Sequence, residues 1–269
     1  MPIITISQDS YGRGREIAKR VAQNLGYECV GPEIIEEVSR SHGFPLSRIE
    51  SALRDSPGIL NHLSPKKEQY LAMFRSVLFE YMRHDNVVYH GLAGHIFLAD
   101  VPNAIKVRIT DDPEERARRG MLRSGISFKE AKKRLIKEDK ERSRWTKQMF
   151  DKDNQNPQLY DLYLNLKNIS LDTAVAVIVD MAKLSLNGNA KLMKKKLKDM
   201  ALAAKIEALL LGSFPEVEAL ADDGDIFVRV QGSILQEESI VEKAKKMIAS
   251  IEGIRSVRIG VFPSIFVPF

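Results

Sequence analysis

The sequence predicts an α/β fold built on a parallel sheet, followed by a smaller α+β domain. Short apolar runs rich in β-branched residues alternate with segments of helical periodicity from Ile3 to Leu184, which is the pattern of βαβ units. After Asn187-Gly188-Asn189 the pattern changes to two alternating strands around one amphipathic helix. We therefore expect an α/β domain at residues 1–186, a linker helix at 187–212 and a small α+β domain at 213–269.

The first elements are a strand, a glycine-containing loop and a helix. Ile3, Ile4 and Ile6 predict a buried strand, and the spacing of Ile17, Val21 and Leu25 predicts a helix. Gly12 and Gly14 lie between them. This arrangement directs backbone N–H groups and a helix N-terminus at a phosphate. No Gly-Lys-Ser/Thr sequence follows the glycines, so the lysine of the usual phosphate-binding motif is absent.

The remaining elements follow in order, with turn residues between them. In the first domain they are an extended segment at Cys29–Gly31, a helix from Pro32, short helices and loops over Ser41–Pro65, a helix over Lys66–Arg83, strands over Asn86–Gly91 and Ala104–Thr110, helices over Glu114–Arg123 and Ser127–Met149, a strand over Asp161–Leu166 and a helix over Leu171–Leu184. In the second they are a basic helix over Lys191–Leu211, strands over Ile226–Val230 and Val257–Val261, and a helix over Glu237–Ile251. The apolar tail, FPSIFVPF, is expected to dock on its own domain or on a partner.

Composition restricts the class of protein. No apolar run approaches the ~20 residues of a membrane span, and no signal peptide is recognisable. The single cysteine, Cys29, excludes an internal disulfide and a cysteine-based zinc site, and we interpret it as a small buried apolar residue. The five histidines lack metal-ligand spacing, so no metal site is predicted. These features favour a cytoplasmic protein.

The net charge of +5 and the isoelectric point of about 9.1 indicate an acidic partner. Nucleic acid and a small phosphorylated ligand are the two alternatives. The arginines are concentrated between Arg108 and Arg144, and no nucleic-acid-binding motif is recognisable, so we favour a small anion and expect no specific nucleic acid.

Two groups of residues are suited to binding phosphate. The loop amides around Gly12 and Gly14 are joined by Arg13, Arg15 and Glu16, and the planar guanidinium groups can bind a phosphate with two hydrogen bonds. The loop by itself is equally typical of a tight turn.

The second group lies on two arginine-rich helices. Arg116, Arg119 and Arg123 share one helix face because they are three and four residues apart. Arg142 and Arg144 follow Asp139 on the next helix, after a flexible Ser124-Gly125 break. A solvated charged surface is one interpretation. The other is a lid that brings arginines over a phosphate.

These segments together resemble the cytidylate-kinase-like family of nucleotide kinases. The residues that match the family opening are Ser7, Gly12, Gly14, Arg15, Glu16, Ile17 and Ala18; those that match the lid are Arg116, Gly125, Ala131, Asp139 and Arg142; and Asn156-Pro-Gln-Leu-Tyr-Asp-Leu matches further on. The resemblance covers about Pro2–Leu186. It implies a P-loop fold with a parallel sheet and an arginine-bearing lid, ATP with magnesium as phosphoryl donor, and a CMP-like acceptor. It also implies that Asp139 orients the arginines or the acceptor.

The chain departs from the family pattern at four positions. Tyr11 and Arg13 replace small residues of the loop, which adds bulk where the backbone approaches a phosphate. Gly31 and Leu92 replace an aspartate and an arginine that belong to the acceptor side in the kinases it resembles. The alternative function is therefore a kinase-derived domain that binds a nucleotide or another anion without turnover and acts as a sensor through its C-terminal domain.

The C-terminal part resembles a BON module. The matching segments are VRVQGSI, an amphipathic helix, and IEGIRSVRIGV. The resemblance implies binding of phospholipid or another ligand, and the alternatives are a generic dimerisation or interaction domain. A lipid or protein partner and a homo-oligomer are both open at this point.

Overall fold

The computed structural model describes residues 2–43, 45–47, 65–84, 86–185 and 190–263. These residues form two compact units. The first contains the residues before Ile34 and those from His84 to Met193. The second contains the rest of the described chain, including everything from Lys194 onward.

The helices and strands follow one another along the chain much as the hydrophobic patterns predict. In order they are β1 (Ile3–Gln8), α1 (Gly14–Leu25), β2 (Glu28–Val30), α2 (Glu33–His42), α3 (Pro65–Met82), β3 (Val87–His90), α4 (Gly94–Phe97), β4 (Ala104–Thr110), α5 (Pro113–Ser124), α6 (Phe128–Phe150), β5 (Leu162–Asn165), α7 (Leu171–Leu184), α8 (Ala190–Leu210), β6 (Val217–Asp222), β7 (Asp225–Gln231), α9 (Glu237–Ile248) and β8 (Ser256–Phe262).

The first unit contains the predicted parallel sheet, which is confirmed. Its strand order is β2-β3-β1-β4-β5, and every neighbouring pair is parallel. β1 is the central strand. Because all five strands run the same way, their carboxyl ends share one edge of the sheet, where loops from β1, β2 and β3 meet. One face of the sheet packs against α1 and α7 in a core that includes Ile4, Ile6, Ile17 and Ile178.

Two consecutive helices, α5 and α6, form the predicted lid segment. Asp112 caps α5 by accepting hydrogen bonds from the amides of Glu114 and Glu115. Ser127 and Glu130 form a reciprocal capping box at the start of α6. Gly125 ends α5 in the left-handed region, with φ of 65°. Local capping therefore defines both ends of the break between the two helices.

The second unit contains a three-stranded sheet in the order β6-β7-β8, and the small C-terminal α+β domain is thereby confirmed. β7 pairs antiparallel with β6 and parallel with β8. Helix α3, which falls within the predicted 1–186 domain, belongs to this unit because it packs on α8: Arg75 pairs with Glu207 at 2.6 Å. Strand β6 has no counterpart among the predicted elements. No helix in the described part of the chain has the length and apolar character needed to cross a membrane.

Three predictions fall on residues outside those described. They concern the boundary at Asn187-Gly188-Asn189, most of the segment Ser41–Pro65, and the last six residues of the apolar tail. The interpretation of Cys29 as a buried apolar residue is only half right, since its side chain is half-buried.

Candidate functional site

The candidate site is the loop of residues 9–13, which connects the central strand β1 to α1. The Gly12 amide donates to Asp9 O at 3.0 Å and closes a tight turn. The Gly14 amide donates to Gln8 Oε1 at 2.5 Å. A Cβ atom on Gly12 would lie 2.9 Å from Asp9 O, and one on Gly14 would lie 2.8 Å from Gln8 Oε1. Both positions therefore require glycine because the loop folds tightly back on the end of β1.

The first turn of α1 faces the same edge of the sheet. Arg13 is the N-cap residue, and its side chain does not cap the helix. The amides of Arg15 and Glu16 lie in the first turn, where a helix has no acceptors of its own. The Arg13 guanidinium forms two 2.9 Å hydrogen bonds to Glu16 instead of facing the loop. Of the predicted phosphate ligands, the Gly12 and Gly14 amides already donate within the loop. The amides of Arg15 and Glu16 and the exposed Arg15 side chain remain available.

Arginines of the lid reach the loop from the other side. Three of them donate to three carbonyl oxygens: Arg142 to Gln8 O at 2.6 Å, Arg116 to Ser10 O at 3.1 Å and Arg119 to Tyr11 O at 3.0 Å. Arg119 also donates to Asp111 Oδ2 at 2.5 Å. The lid and the loop thus form one hydrogen-bonded structure.

Asp139 connects the same two parts through its carboxylate. Oδ1 accepts from the Ser10 amide at 2.9 Å, and Oδ2 accepts from Arg116 at 2.8 Å. Both side chains are largely buried. An amide of the predicted anion-binding loop is therefore occupied by a carboxylate of the chain itself.

Arg108 is a site residue that the candidate set does not contain. It lies on β4 directly beside Ser7 of β1, its side chain is 3% exposed, and it forms an ion pair with Asp9. Burial raises the pKa of the Asp9 carboxyl, and the positive charge of Arg108 opposes this effect. An arginine within the buried strand AIKVRIT was the available signal, because a strand between two others rarely carries a charge without a partner.

These groups form a cluster with an excess of positive charge, which we call the loop cluster. It consists of Asp9 and of four residues whose charges act on the Asp9 carboxyl, namely Arg108, Arg116, Asp139 and Arg142. Three cations and two anions leave a net charge of +1. Arg108 Nε, Arg116 Nε and the buried Ser10 Oγ have no hydrogen-bond partner among the described residues. An anion would supply both the missing charge and the missing acceptors.

Two predicted lid arginines contact neither the loop nor the loop cluster. Arg123 and Arg144 are exposed and form no hydrogen bond or ion pair with the residues that the structure describes. Arg116, Arg119 and Arg123 share one face of α5 as predicted, but a helix rises about 1.5 Å per residue, so Arg123 lies about 10 Å further along the axis than Arg116.

Tyr11 does not add bulk to the loop in the way its position suggests. Its backbone is in the left-handed region, with φ of 55°. The ring lies against Gly120 of α5, where a Cβ atom would be 3.3 Å from Tyr11 Cδ2. The hydroxyl donates to Glu138 of α6 at 3.4 Å. The side chain thus packs on the two lid helices.

A buried network of neutral side chains is hydrogen-bonded to the end of β1. His95 Nδ1 lies 2.9 Å from Ser7 Oγ, and His95 Nε2 lies 3.1 Å from Tyr160 Oη. The Tyr160 hydroxyl donates to Asn154 O, so Nε2 carries the imidazole proton and Nδ1 accepts from Ser7. Burial, with a contribution from Arg108, lowers the pKa of His95 to about 3.

This network predicts a specific pH dependence of stability. Unfolded His95 takes up a proton below its ordinary pKa of 6.5, whereas the folded imidazole stays neutral down to about pH 3. The unfolded state therefore binds more protons as the pH falls through this window, and His95 lowers the free energy of unfolding by about 1.6 kcal/mol between pH 6.5 and pH 5. Urea unfolding of the parent and of His95→Gln measures this. The difference between their free energies of unfolding should be smaller at pH 5 than at pH 6.5 by that amount. A difference that is the same at both pH values would contradict the low pKa of His95.

The fold and the loop together define a class of protein. A loop and a helix N-terminus follow the central strand of a parallel sheet, beneath an arginine-rich helical lid, as in proteins with a P-loop kinase-like fold.

The chain belongs to the cytidylate kinase-like family, whose model matches residues 3–168. A cytidylate kinase of Methanopyrus kandleri is 25% identical over 163 residues, which cover 60% of this chain and 83% of that protein. The match to the family ends before the second sheet, so the BON-like character of residues 213–269 stays a prediction.

The solved structures that are similar to the chain include the following two. An uncharacterized protein from Eubacterium ventriosum has a TM-score of 0.52 and 18% identity, over 68% of this chain and 99% of that one. A shikimate kinase from Bacteroides thetaiotaomicron has a TM-score of 0.43 and 11% identity, over 68% and 98%. The first similarity bears on the fold alone.

Proposed function

We propose that the chain transfers the terminal phosphoryl group of ATP to a nucleoside monophosphate of the CMP type. The observation that supports this most directly is the loop cluster, with one excess positive charge and three donors that lack partners among the described residues. A polyphosphate supplies the countercharge and the acceptors together. Membership of the family supports a nucleotide as the source of that polyphosphate.

In this proposal the chain acts by positioning and by electrostatics. Phosphoryl transfer places negative charge on the oxygens of the transferred group, and arginines stabilise that charge most where water is excluded. The first-turn amides of α1 bind the donor phosphates. Arg116 and Arg142 exchange their loop carbonyl acceptors for phosphate oxygens. Asp139 releases the Ser10 amide in the same step, because two anions do not share one donor.

The side chains near the loop do not by themselves fit a magnesium site. Asp9 is paired with Arg108 and Asp111 with Arg119. Within the described residues, no three side chains of His, Cys, Asp or Glu come together as a metal-binding group. Magnesium that accompanies ATP would therefore be held mainly by the phosphates of the nucleotide.

A second function, binding of a nucleotide without turnover, is favoured by a different observation. The Asp139 carboxylate already occupies the Ser10 amide, and the lid arginines already have acceptors on the loop. A phosphate can bind by replacing these acceptors of the lid arginines and of the Ser10 amide. The bound phosphate can still lack the geometry that phosphoryl transfer needs.

Calorimetry followed by a coupled kinase assay distinguishes the two functions. We expect the purified chain to bind ATP and to form ADP only when CMP is added. Arg142→Ala should weaken ATP binding about 30-fold, since it removes a charge-assisted hydrogen bond. Arg118→Ala is the matched control, because Arg118 is an exposed lid arginine whose one ion-pair partner among the described residues is Glu115. Its effect on ATP affinity should stay within about twofold.

Each outcome has a defined meaning. ATP binding without CMP-dependent ADP formation rejects the kinase and supports the second function. Unchanged ATP affinity in Arg142→Ala removes the loop cluster as the phosphate site.

A further inference from the structure

A second group of residues lies at the same edge of the sheet, where β2 and β3 end. β2 and β3 are parallel neighbours, with Val30 beside Tyr89, so Gly31 follows one strand where His90 ends the other. The His90 ring covers Gly31: a Cβ atom there would lie 2.3 Å from His90 Cε1. Any side chain at position 31 would displace the imidazole. The absence of a side chain at Gly31 thus makes room for His90.

His90 is mostly buried, and its side chain forms no hydrogen bond with the residues that the structure describes. The residue is 6% exposed, and neither ring nitrogen has a hydrogen-bond partner within the described part of the chain. His90 lies beside Ile6 in the sheet, so its side chain is on the same face as α1. Neither ring nitrogen is among the fully buried polar atoms without a partner, so a ligand that approaches from solvent can reach them. The ring is therefore suited to a ligand that supplies an acceptor and a donor.

Three charged side chains lie near the His90 ring, and among the described residues none of them is hydrogen-bonded to it. Arg15 and Lys19 on α1 and Glu33 after β2 act on His90 electrostatically. Burial lowers the pKa of His90 and the two cations add to this, while Glu33 opposes it, so the ring is neutral at neutral pH. Glu33 is committed to the Gly31 amide, which donates to Oε1 at 2.7 Å. Arg15 and Lys19 are exposed cations, and the one nearby carboxylate, Glu33, already accepts a hydrogen bond from the Gly31 amide. The charges around His90 therefore favour an anionic ligand.

We propose that His90 is a specificity-determining residue that hydrogen-bonds the phosphoryl acceptor, a phosphomonoester whose anionic group faces Arg15 and Lys19. This rests on the proposed function, since it assigns the second substrate of the same reaction to the region between β2, β3 and α1. The location fits that role. The carboxyl edge of a parallel sheet is where α/β proteins bind ligands, and α1 begins at the donor loop on the same edge.

The inference is tested by NMR of the histidine rings in the full chain, with CMP as the probe. The chain has five histidines, so the Cε1–Hε1 region contains five ring signals. His90→Gln identifies the His90 signal by its loss. We expect CMP to shift that signal and ATP alone to leave it in place. If CMP causes no shift of the His90 signal, the inference is overturned, whatever the result with ATP.

Three variants give the energetic test by calorimetry. His90→Leu fills the space without a polar atom and should weaken CMP binding by about tenfold, whereas His90→Gln, which keeps a donor and an acceptor, should stay within about threefold. Both should leave ATP affinity unchanged. His84→Leu is the control, because it makes the same substitution at an exposed histidine. Equal CMP affinity in parent and His90→Leu overturns the inference.

These measurements separate the inference from the proposed function. ATP binding and ADP formation decide whether the chain is a kinase. The His90 signal and the CMP affinities decide whether His90 contacts the acceptor, and they do so even if no phosphoryl group is transferred.

Discussion

Replacing Arg116 with methionine should lower the free energy of unfolding by about 3 kcal/mol, because it leaves the Asp139 carboxylate without its cation at a site that is 80% shielded from solvent. Methionine retains most of the apolar volume of the arginine stem. The lost stability therefore measures the contribution of the charge and of its hydrogen bonds. ATP affinity should decrease by about 30-fold or more in the same variant. Urea unfolding and calorimetry measure the two effects.

The double variant Arg116→Met/Asp139→Asn separates stability from binding. It removes both charges, while the asparagine Oδ1 can still accept from the Ser10 amide, as Asp139 Oδ1 does. We expect it to recover most of the lost stability, since no unpaired charge remains. ATP affinity should stay low, because the guanidinium is still missing. Recovery of ATP affinity would show that Arg116 acts on the nucleotide only through folding.

The parallel sheet could be predicted because its signals are local. Each strand is a short apolar run, and each helix has its own periodicity and capping residues, as Asp112 and Ser127 show. Strand β6 could not be found in this way. Its sequence, VEALAD, contains residues that are uncommon in strands, and it is held by pairing with β7 from Val217 to Asp222. The Asp223-Gly224 turn was the one local signal for this hairpin.

The candidate site was predictable in its components but not in its connections. Periodicity places Arg116 and Arg119 on one face, yet it does not show that they donate to the loop carbonyls. Tyr11 illustrates the same limit. Its bulk is visible in the sequence, whereas its positive φ, which turns the ring toward Gly120, depends on the folded lid. Arg108 and the His90–Gly31 contact arise from strand register, which the sequence does not specify.

Replacing Trp145 with alanine should be the most destabilising of the substitutions considered. Trp145 is the only tryptophan, is 1% exposed and lies on α6 of the lid. Its ring packs edge-on against Phe150 at 5.4 Å, and Phe150 packs in turn against Phe97 at 5.4 Å. Removing a buried indole costs about 4 kcal/mol, which is a large share of the ~5–15 kcal/mol that stabilises a typical domain. Urea unfolding followed by far-UV circular dichroism measures this loss.

Trp145→Phe is the matched control, and it also decides between two roles for the indole. Phenylalanine keeps an aromatic ring against Phe150, so the loss should be about 1–2 kcal/mol. An indole that stacked on a nucleotide base would be needed for binding, and Trp145→Phe would then weaken CMP or ATP affinity while the fold stayed intact. Because the ring is closed off from solvent, we expect both affinities to be unchanged in this variant. The indole then stabilises the position of α6, and with it Asp139 and Arg142, and does not take part in nucleotide binding.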